Sequence, residues 1–319
     1  MQKNIDVIGV PFALGGSKSG SARGPAMLIE NGLAAHLSRL GHKATYVDTR
    51  VNSEFSRHFS ARDLHSKKVA SLFAVQEVTK LAGAHVFIAH TLGHLPLVIG
   101  GDHSISLGTL SQYLDPVFSV GRRVGLLWLD AHYDAHTPTS SHSHYANGLP
   151  FASALGFGER SLASFRSTSN KKTMRRLKFA PYNVLHIGAG ESDCESEEVA
   201  LLDNLKVKRV TMADIRRDGF ASCAGVLGTF LKEVDDIIFT FDLDAMRQDF
   251  VPGVSFQSQS GLLPWHAFMI ADAVAHSGKL RQLEIMEYNP DFEESTPDGC
   301  PKTADFVLLF LERLFGVYK

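Results

Sequence analysis

The sequence predicts an α/β fold with three layers, α/β/α, in which helices cover both faces of an open, mainly parallel β-sheet. Short β-branched or apolar runs alternate with longer segments of helical periodicity along the chain. These apolar runs are continuous and do not alternate with polar residues, which is typical of parallel strands buried on both faces. No linker, repeat or low-complexity tract divides the chain, and we therefore predict a single domain over residues 1–319.

The predicted elements follow this alternation in order. A first strand covers residues 5–12, and a Gly/Ser-rich loop separates it from helical periodicity over residues 24–41, with Gly41 as the C-cap. A second helical stretch covers residues 64–83. Six further strands are predicted at residues 95–102, 124–130, 183–190, 208–214, 236–244 and 280–290. The basic stretch at residues 166–176 is predicted to be an exposed loop and helix start.

The charge balance gives no reason to expect nucleic acid or an anionic membrane as a partner. The 319 residues include 32 lysines and arginines against 34 aspartates and glutamates, a formal net charge of −2. No apolar run approaches the roughly 20 residues that a membrane span needs, and the amino terminus lacks a signal-peptide pattern. The three cysteines form no CxxC pair. We therefore expect a protein of the reducing cytoplasm.

Three predicted strands end in residue types that bind metals. The run "VIGGDH" ends in His103, "LLWLDAHYD" places Asp130, His132 and Asp134 two apart, and "FTFDLD" ends in a pair of aspartates. Because the carboxyl ends of parallel strands meet at one edge of a sheet, these side chains are predicted to converge there. The candidate metal ligands are His103, Asp130, His132, Asp134, Asp242 and Asp244.

Four aspartates brought together would repel one another and raise one another's pKa values. Two divalent cations carry four positive charges and remove that repulsion. The mixed oxygen and nitrogen ligands suit Mn²⁺, and Zn²⁺, Co²⁺ and Fe²⁺ stay open as alternatives. A single DxD pattern at a strand end also fits a helix N-cap or a solvated turn. The joint occurrence with "DAHYD" and "GGDH" favours a metal site.

Four segments resemble the sequence signatures of the ureohydrolase family, which comprises arginases, agmatinases and formimidoylglutamases. They are "GGDHSISLGTL", "DAHYDAHTP", "FDLDAMRQDFVPGVS" and "EIMEYNP", in the family's order. The early "SARGPAMLIENGL" and the final "KTADFVLLFLERLFG" are more similar to the arginase branch than to the other branches of the family. The resemblance implies an arginase-like fold, a small guanidino or formimidoyl amino acid as substrate, and a homo-oligomer, a trimer or hexamer.

The resemblance also assigns roles to the candidate ligands. It implies two Mn²⁺ per subunit, one held by His103, Asp130, Asp134 and Asp242 and the other by Asp130, His132, Asp242 and Asp244. Glu287 matches the family glutamate that pairs with the cationic group of the substrate. Asp134 is expected to hold a proton of the attacking water and to pass it to the leaving amine.

The substrate loop departs from the arginase pattern. Laid without gaps onto "DAHYDAHTPTSSHSHYANGLPF", His136 replaces an asparagine that holds the substrate carboxylate, and Asn147 replaces a proton-shuttling histidine. An amide cannot carry a proton as imidazole does. Ser143 matches the family serine, and Asp193 aligns with the aspartate that contacts the substrate α-amine.

These departures leave several alternatives open. His142 or His144 is a candidate to take over proton transfer, and the competing interpretation places both on a solvated loop. "NGLPF" and "EYNP" resemble formimidoylglutamases, whose usual arginine-bearing sequence after DAHxD is absent here. The first prediction is arginase-like conversion of L-arginine to L-ornithine and urea. The alternatives are a formimidoylglutamase, an agmatinase or other guanidino-acid hydrolase, and a catalytically silent binding protein.

Overall fold

The computed structural model describes residues 2–49, 69–159, 162, 178–191 and 193–316, so the predicted basic loop at 166–176 lies outside the described residues. The described chain forms one eight-stranded sheet with the order β2-β1-β3-β8-β7-β4-β5-β6, and every strand pair is parallel. The strands are β1 Asn4–Val10, β2 Lys43–Asp48, β3 Leu95–Gly100, β4 Val124–Leu129, β5 Val184–Ile187, β6 Lys208–Val210, β7 Asp236–Asp242 and β8 Leu280–Met286. The predicted parallel sheet is confirmed.

Helices flank this sheet on both sides. They are α1 Gly24–Glu30, α2 Leu33–Arg39, α3 Leu72–Thr91, α4 Ser106–Thr109, α5 Pro116–Ser119, α6 Pro150–Ala154, α7 Ser196–Leu205, α8 Met212–Asp218, α9 Phe220–Glu233, α10 Pro264–Ser277 and α11 Lys302–Phe315. The predicted helical stretch over 24–41 is two helices, because Gly32 adopts φ +84° between them. The second stretch, predicted at 64–83, is described from residue 72 to residue 91, and residues 64–68 lie outside the described part.

Alternate strand positions pack into different cores on the two faces of the sheet. In β4, Leu127 and Leu129 belong to the core that contains Phe310 of α11, together with side chains of α9 and α10. Leu126 and Trp128 point to the other face and pack with Phe151 of α6. Because both faces are covered, all six residues of β4 are buried, which explains its continuously apolar sequence. The predicted three-layer α/β/α arrangement is confirmed.

The sequence predicted no apolar run long enough to span a membrane, and helix α3 departs from that prediction. At 20 residues it is long and apolar enough to cross a membrane by length and composition alone. Its residues Ala74, Val75 and Val78 are buried in the protein core. Buried positions make up 44% of its most apolar stretch, which fits a helix that packs on the core along one face. The absence of a membrane partner stays a prediction.

Gly101 allows three chain segments to approach closely where β3 ends. Its N–H donates to Val10 O at 3.0 Å, and its carbonyl accepts the N–H of Glu287 at 2.8 Å. A Cβ at this position would lie 1.7 Å from the carbonyl oxygen of Phe12. The contact is with backbone, which cannot turn aside as a flexible side chain would. Glycine therefore holds the candidate metal loop and Glu287 against each other.

We expect Gly101→Ala to lower the free energy of unfolding by about 3 kcal/mol, because the added methyl group overpacks this junction. Chemical denaturation of both proteins measures the change. Gly225→Ala is the matched control, since an added Cβ on this exposed glycine of α9 meets nothing within 4 Å. That control should gain roughly 0.5–1 kcal/mol from helix propensity. Equal stability of wild type and Gly101→Ala would contradict the close approach.

Candidate metal centre and active site

The predicted ligands converge at the carboxyl edge of β3, β4 and β7. His103 lies in a 3₁₀ turn directly after β3, Asp130 follows β4, and Asp242 is the last residue of β7. Strands β3 and β4 lie on either side of the β8–β7 pair, so their loops meet above the centre of the sheet. His103, Asp130 and Asp242 are at most 2% exposed. The parallel arrangement therefore gathers residues that are more than a hundred positions apart in sequence.

Four of these residues form a first ligand set. The Nδ1 atom of His103 lies 3.3 Å from Asp130 Oδ2, 3.1 Å from Asp134 Oδ2 and 3.0 Å from Asp242 Oδ2. One ligand atom from each of the four residues lies within 4.8 Å of the others. Three carboxylate oxygens and one imidazole nitrogen at this spacing fit a divalent cation.

A second ligand set shares Asp130 with the first. His132 Nδ1 lies 3.0 Å from Asp244 Oδ2 and 3.5 Å from Asp130 Oδ1. Asp130 thus presents Oδ2 to His103 and Oδ1 to His132. A carboxylate that offers one oxygen to each set is suited to bridge two cations. The structure groups Asp242 with the first set alone, whereas the resemblance implied that it serves both.

The electrostatics of the six residues call for added positive charge. Burial, together with the charges of Asp244 and Asp130, raises the pKa of Asp242 well above its usual range. Burial and the charge of Asp130 raise the pKa of Asp134 to about 7. Burial lowers the pKa of His103, but its carboxylate neighbours outweigh that effect and raise the pKa well above the ordinary value. Two dications would supply the charge that protons otherwise provide, and the donor set therefore fits two divalent ions.

Left-handed backbone conformations occur at several candidate functional residues. Asp134 has φ +49°, His144 has φ +60° and Glu287 has φ +63°. Non-glycine residues rarely adopt such values, and they persist where surrounding structure fixes them. The N–H of Glu287 is held by the Gly101 carbonyl, and the carbonyl of Asp134 accepts the N–H of Phe151 at 2.9 Å. These hydrogen bonds fix the backbone from which both carboxylates reach the cavity.

Trp128 supports two metal ligands from the end of β4. Its Nε1–H donates to Asp130 Oδ2 at 2.9 Å. Its ring stacks on His103 with a centroid distance of 4.5 Å and an interplanar angle of 18°. Hydrogen-bonded neighbours of this kind fix the orientation of metal ligands.

We expect Trp128→Phe to weaken metal binding by roughly 10-fold or more, because the bond to Asp130 is lost while an aromatic ring remains. Competition with a calibrated chelator measures the affinity. Phe239→Leu is the control, because this buried residue belongs to the core on the other face of the sheet. The control should lose stability without a change in metal affinity, and unchanged affinity in Trp128→Phe would refute the supporting role.

Glu287 is buried beside the metal ligands. Its Oε1 accepts the backbone N–H of His103 at 2.9 Å, and the residue is 5% exposed. Burial and the charge of Asp102 raise the pKa of Glu287 to about 8. A cationic group placed next to this carboxylate would relieve its unfavourable burial. Glu287 is therefore positioned to pair with a cationic substrate.

One cavity joins the ligands to the predicted substrate residues. It has a volume of about 230 Å³. It is lined by His132, Asp134, His136, Ser143, Asn147, Gly148, Asp193, Glu195, Glu198, Asp242, Asp244, Phe256 and Glu287. All four residues predicted to contact the substrate beyond Glu287, namely His136, Ser143, Asn147 and Asp193, line it.

The two candidate proton shuttles lie elsewhere. Neither His142 nor His144 lines the cavity, and both are exposed. His142 Nε2 lies 3.5 Å from carboxylate oxygens of both Glu195 and Glu197. His144 donates its backbone N–H to Ser141 Oγ at 3.0 Å. Their place on the rim agrees with the alternative interpretation of a solvated loop.

Glu195, Glu198 and Phe256 line the cavity although the sequence did not single them out. Glu198 accepts the N–H of Ala135 at 2.9 Å and that of Glu195 at 3.0 Å. It thereby ties the loop that carries Asp134 to the first turn of α7. The spacing of "ESEE" is the available signal, because in a capping box the N-cap residue, here Glu195, is followed three positions later by a Glu whose side chain bonds back to it.

Comparison with known proteins agrees with this geometry. The family model described as the arginase family matches residues 3–311. An arginase of Bacillus caldovelox is 29% identical over 98% of this chain and 98% of its own length. An arginase of Brevibacillus brevis is 28% identical, with 99% of each chain covered. The solved structure of Bacillus caldovelox arginase superposes with a TM-score of 0.85 at 28% identity, covering 99% of both chains.

The match extends over nearly the whole chain and includes the segments that carry the ligand sets. The predicted arginase-like fold is confirmed by the solved relative. The chain is a hydrolase whose relatives cleave guanidino C–N bonds. It belongs to the arginase family.

Proposed function

We propose that this chain is a manganese-dependent hydrolase that converts L-arginine to L-ornithine and urea. The observation that carries the proposal is the pair of ligand sets that share Asp130 and open into the same cavity as Glu287. The curated relatives named arginase support L-arginine as the first candidate substrate. Nothing in this assignment requires His142 or His144 as a catalytic residue.

His103, Asp130, Asp134 and Asp242 would hold one cation, and Asp130, His132 and Asp244 would hold the other. The oxygen-rich ligands with one imidazole in each set favour Mn²⁺ over cations that prefer thiolates. Two divalent cations bound there would lower the pKa of a water molecule and so supply a nucleophile near neutral pH.

Glu287 would bind and orient the guanidinium group of the substrate. The buried carboxylate would gain a cationic partner, and charge-assisted hydrogen bonds would hold the guanidinium group in the cavity that Glu287 shares with the ligand sets. Its backbone is fixed by the bond to Gly101, so the substrate is held against a rigid strand end. This is a binding and orienting role, without proton transfer.

Asp134 would move the proton. As the water oxygen bonds to the guanidinium carbon, the Asp134 carboxylate accepts a water proton. It then donates that proton to the departing nitrogen while the C–N bond breaks, which releases urea and an amine. Asp134 belongs to the first ligand set and lines the cavity, so its carboxylate lies beside the place where that water would be held.

The part of the cavity lining that belongs to neither ligand set favours a substrate with a positively charged tail. Asp193, Glu195 and Glu198 line it, and the described lining residues include no lysine or arginine. The two carboxylates of formimidoylglutamate would meet these acidic groups without a cationic partner. L-arginine would bring an α-amine to these acidic groups, beside its single carboxylate. A guanidino compound that ends in an amine alone, such as agmatine, is the second candidate for the same reason.

His136 adds to the case for the second candidate. Its Nε2 lies 3.5 Å from Glu195 Oε2 and 3.7 Å from Glu198 Oε2. It occupies the position at which arginases are expected to bind the substrate carboxylate with an asparagine. Its engagement with two glutamates leaves less donor capacity for that carboxylate.

A substrate panel tests the proposal. Protein loaded with Mn²⁺ is assayed with L-arginine, agmatine, guanidinobutyrate and formimidoylglutamate, and urea and formamide are quantified. We expect urea from L-arginine with the highest kcat/KM, and no product from chelator-treated protein. Preferential release of formamide from formimidoylglutamate would contradict the proposal. Two bound metals without turnover of any substrate would instead support a silent binding protein.

A further inference from the structure

A second group of cavities lies at the opposite edge of the sheet from the metal ligands. One cavity of about 460 Å³ is found at the amino ends of β1, β3 and β8, which are neighbours in the sheet. A second cavity of about 390 Å³ shares Lys3, Leu280 and Arg281 with it. The seven residues of β8 separate this edge from the candidate active site by roughly 20 Å.

Lys3 and Arg281 are the lysine and arginine side chains in the lining of both cavities. Lys3 and Arg281 lie between them, His90 and His94 line the first, and His42 lines the second. Neither lining includes an aspartate or glutamate. Tetrahedral oxyanions are bound in proteins by such convergent ammonium and guanidinium donors.

A bound anion would stabilise Lys3. No ion pair joins its ammonium group to a carboxylate among the described residues, and its Nζ lies 5.7 Å from the centroid of the Phe315 ring. Burial and the positive charge of Arg281 lower the pKa of Lys3. Two adjacent cations without an anion between them repel each other, and a bound anion would reverse that cost.

The carboxylate that Arg281 binds is already occupied by two guanidinium groups and is not a free partner for Lys3. Its Nε lies 2.7 Å from Oδ1 of the buried Asp236. Arg122 binds the same carboxylate, with Nη2 at 2.7 Å from Oδ1. One aspartate therefore faces two guanidinium groups. Asp6 is a further carboxylate beside the first cavity, 3.0 Å from His94 Nδ1. With Lys3 counted, three cations face these two carboxylates, so the local charge is positive.

We propose that this group of cavities binds a small dianionic oxyanion, such as a free sulfate or phosphate ion or the phosphate group of a monoester. Lys3 and Arg281 supply both the charge and the N–H donors. The site is independent of the metal centre and of the proposed substrate.

Equilibrium dialysis of the manganese-loaded protein with labelled sulfate tests the site at constant ionic strength. We expect Lys3→Met to weaken sulfate binding about tenfold, because a charge-assisted hydrogen bond is lost. Lys3→Arg should retain most of the binding. Lys232→Met is the matched control, because it removes the same charge from an exposed position on α9, and it should bind like wild type.

Competition with glycerol phosphate identifies the source of the oxyanion. If glycerol phosphate displaces sulfate at a lower concentration than inorganic phosphate does, the ligand is a monoester. If both displace sulfate at the same concentration, the ligand is the free ion. Sulfate that binds wild type and Lys3→Met equally, for example at the metal centre alone, would overturn the proposal. Failure of wild type to bind sulfate would overturn it as well.

Discussion

Replacing Asp242 with asparagine is expected to remove a metal ion and to reduce kcat on the order of 10³-fold, since each ion contributes several kcal/mol of transition-state stabilisation. Asp242 Oδ2 lies 3.0 Å from His103 Nδ1, within the first ligand set. Its Oδ1 accepts the N–H of Asp244 at 2.9 Å and so shapes the neighbouring loop. An amide of the same shape lacks the negative charge that a dication requires.

Elemental analysis of metal per chain and a urea assay measure both effects. Asp235→Asn is the control. This aspartate pairs with exposed Arg123 and directly precedes β7, at the end of that strand opposite Asp242. In the metal-free state we expect Asp242→Asn to be more resistant to unfolding than wild type. The reason is the mutual repulsion of the buried carboxylates. An Asp242→Asn protein with two metals and the wild-type rate would contradict the assignment.

Glu287→Gln is expected to lower kcat/KM for L-arginine on the order of 10³-fold, because breaking a buried charge pair costs about 3–5 kcal/mol. The glutamine retains an oxygen for the N–H of His103, which Glu287 binds at 2.9 Å. The metal content should therefore stay at the wild-type value. Steady-state kinetics and elemental analysis on the same preparation separate the loss of substrate binding from the loss of metal.

Glu294→Gln serves as the control for this substitution, since Glu294 is an exposed partner of Lys302. It should leave both the kinetics and the metal content unchanged. If Glu287→Gln kept the kcat/KM of wild type, Glu287 would not be the partner of the guanidinium group, and the proposed substrate class would lose its main support.

The strands that carry the metal ligands could be predicted because they are buried on both faces. Strands β3, β4 and β7 are wholly buried, so their sequences are almost entirely apolar, apart from Thr240 and the two terminal aspartates of β7. Strand β2 was missed because it is a partly exposed edge strand whose sequence "KATYVD" resembles a loop as much as a strand. The break between α1 and α2 was missed because helical periodicity continues across Gly32.

The ligand sets could be predicted from the rule that parallel strands end at one edge, although their mutual distances could not. The contact of Glu198 with the N–H of Ala135 could not be predicted from local sequence patterns, because the two residues are 63 positions apart. For the two candidate proton shuttles, closeness in sequence did not predict a place in the cavity. His142 and His144 lie close in sequence to the substrate residues, yet the loop directs both to the exposed rim.

Titration of metal-free protein with Mn²⁺ tests the central claim most directly. Calorimetry gives the number of ions bound per chain, and thermal unfolding of the same samples reports their effect on stability. We predict two ions per chain and a rise in Tm as the buried carboxylates are neutralised. A chain that binds no Mn²⁺, or whose Tm is indifferent to it, would contradict a paired-cation site built on His103, Asp130 and Asp242.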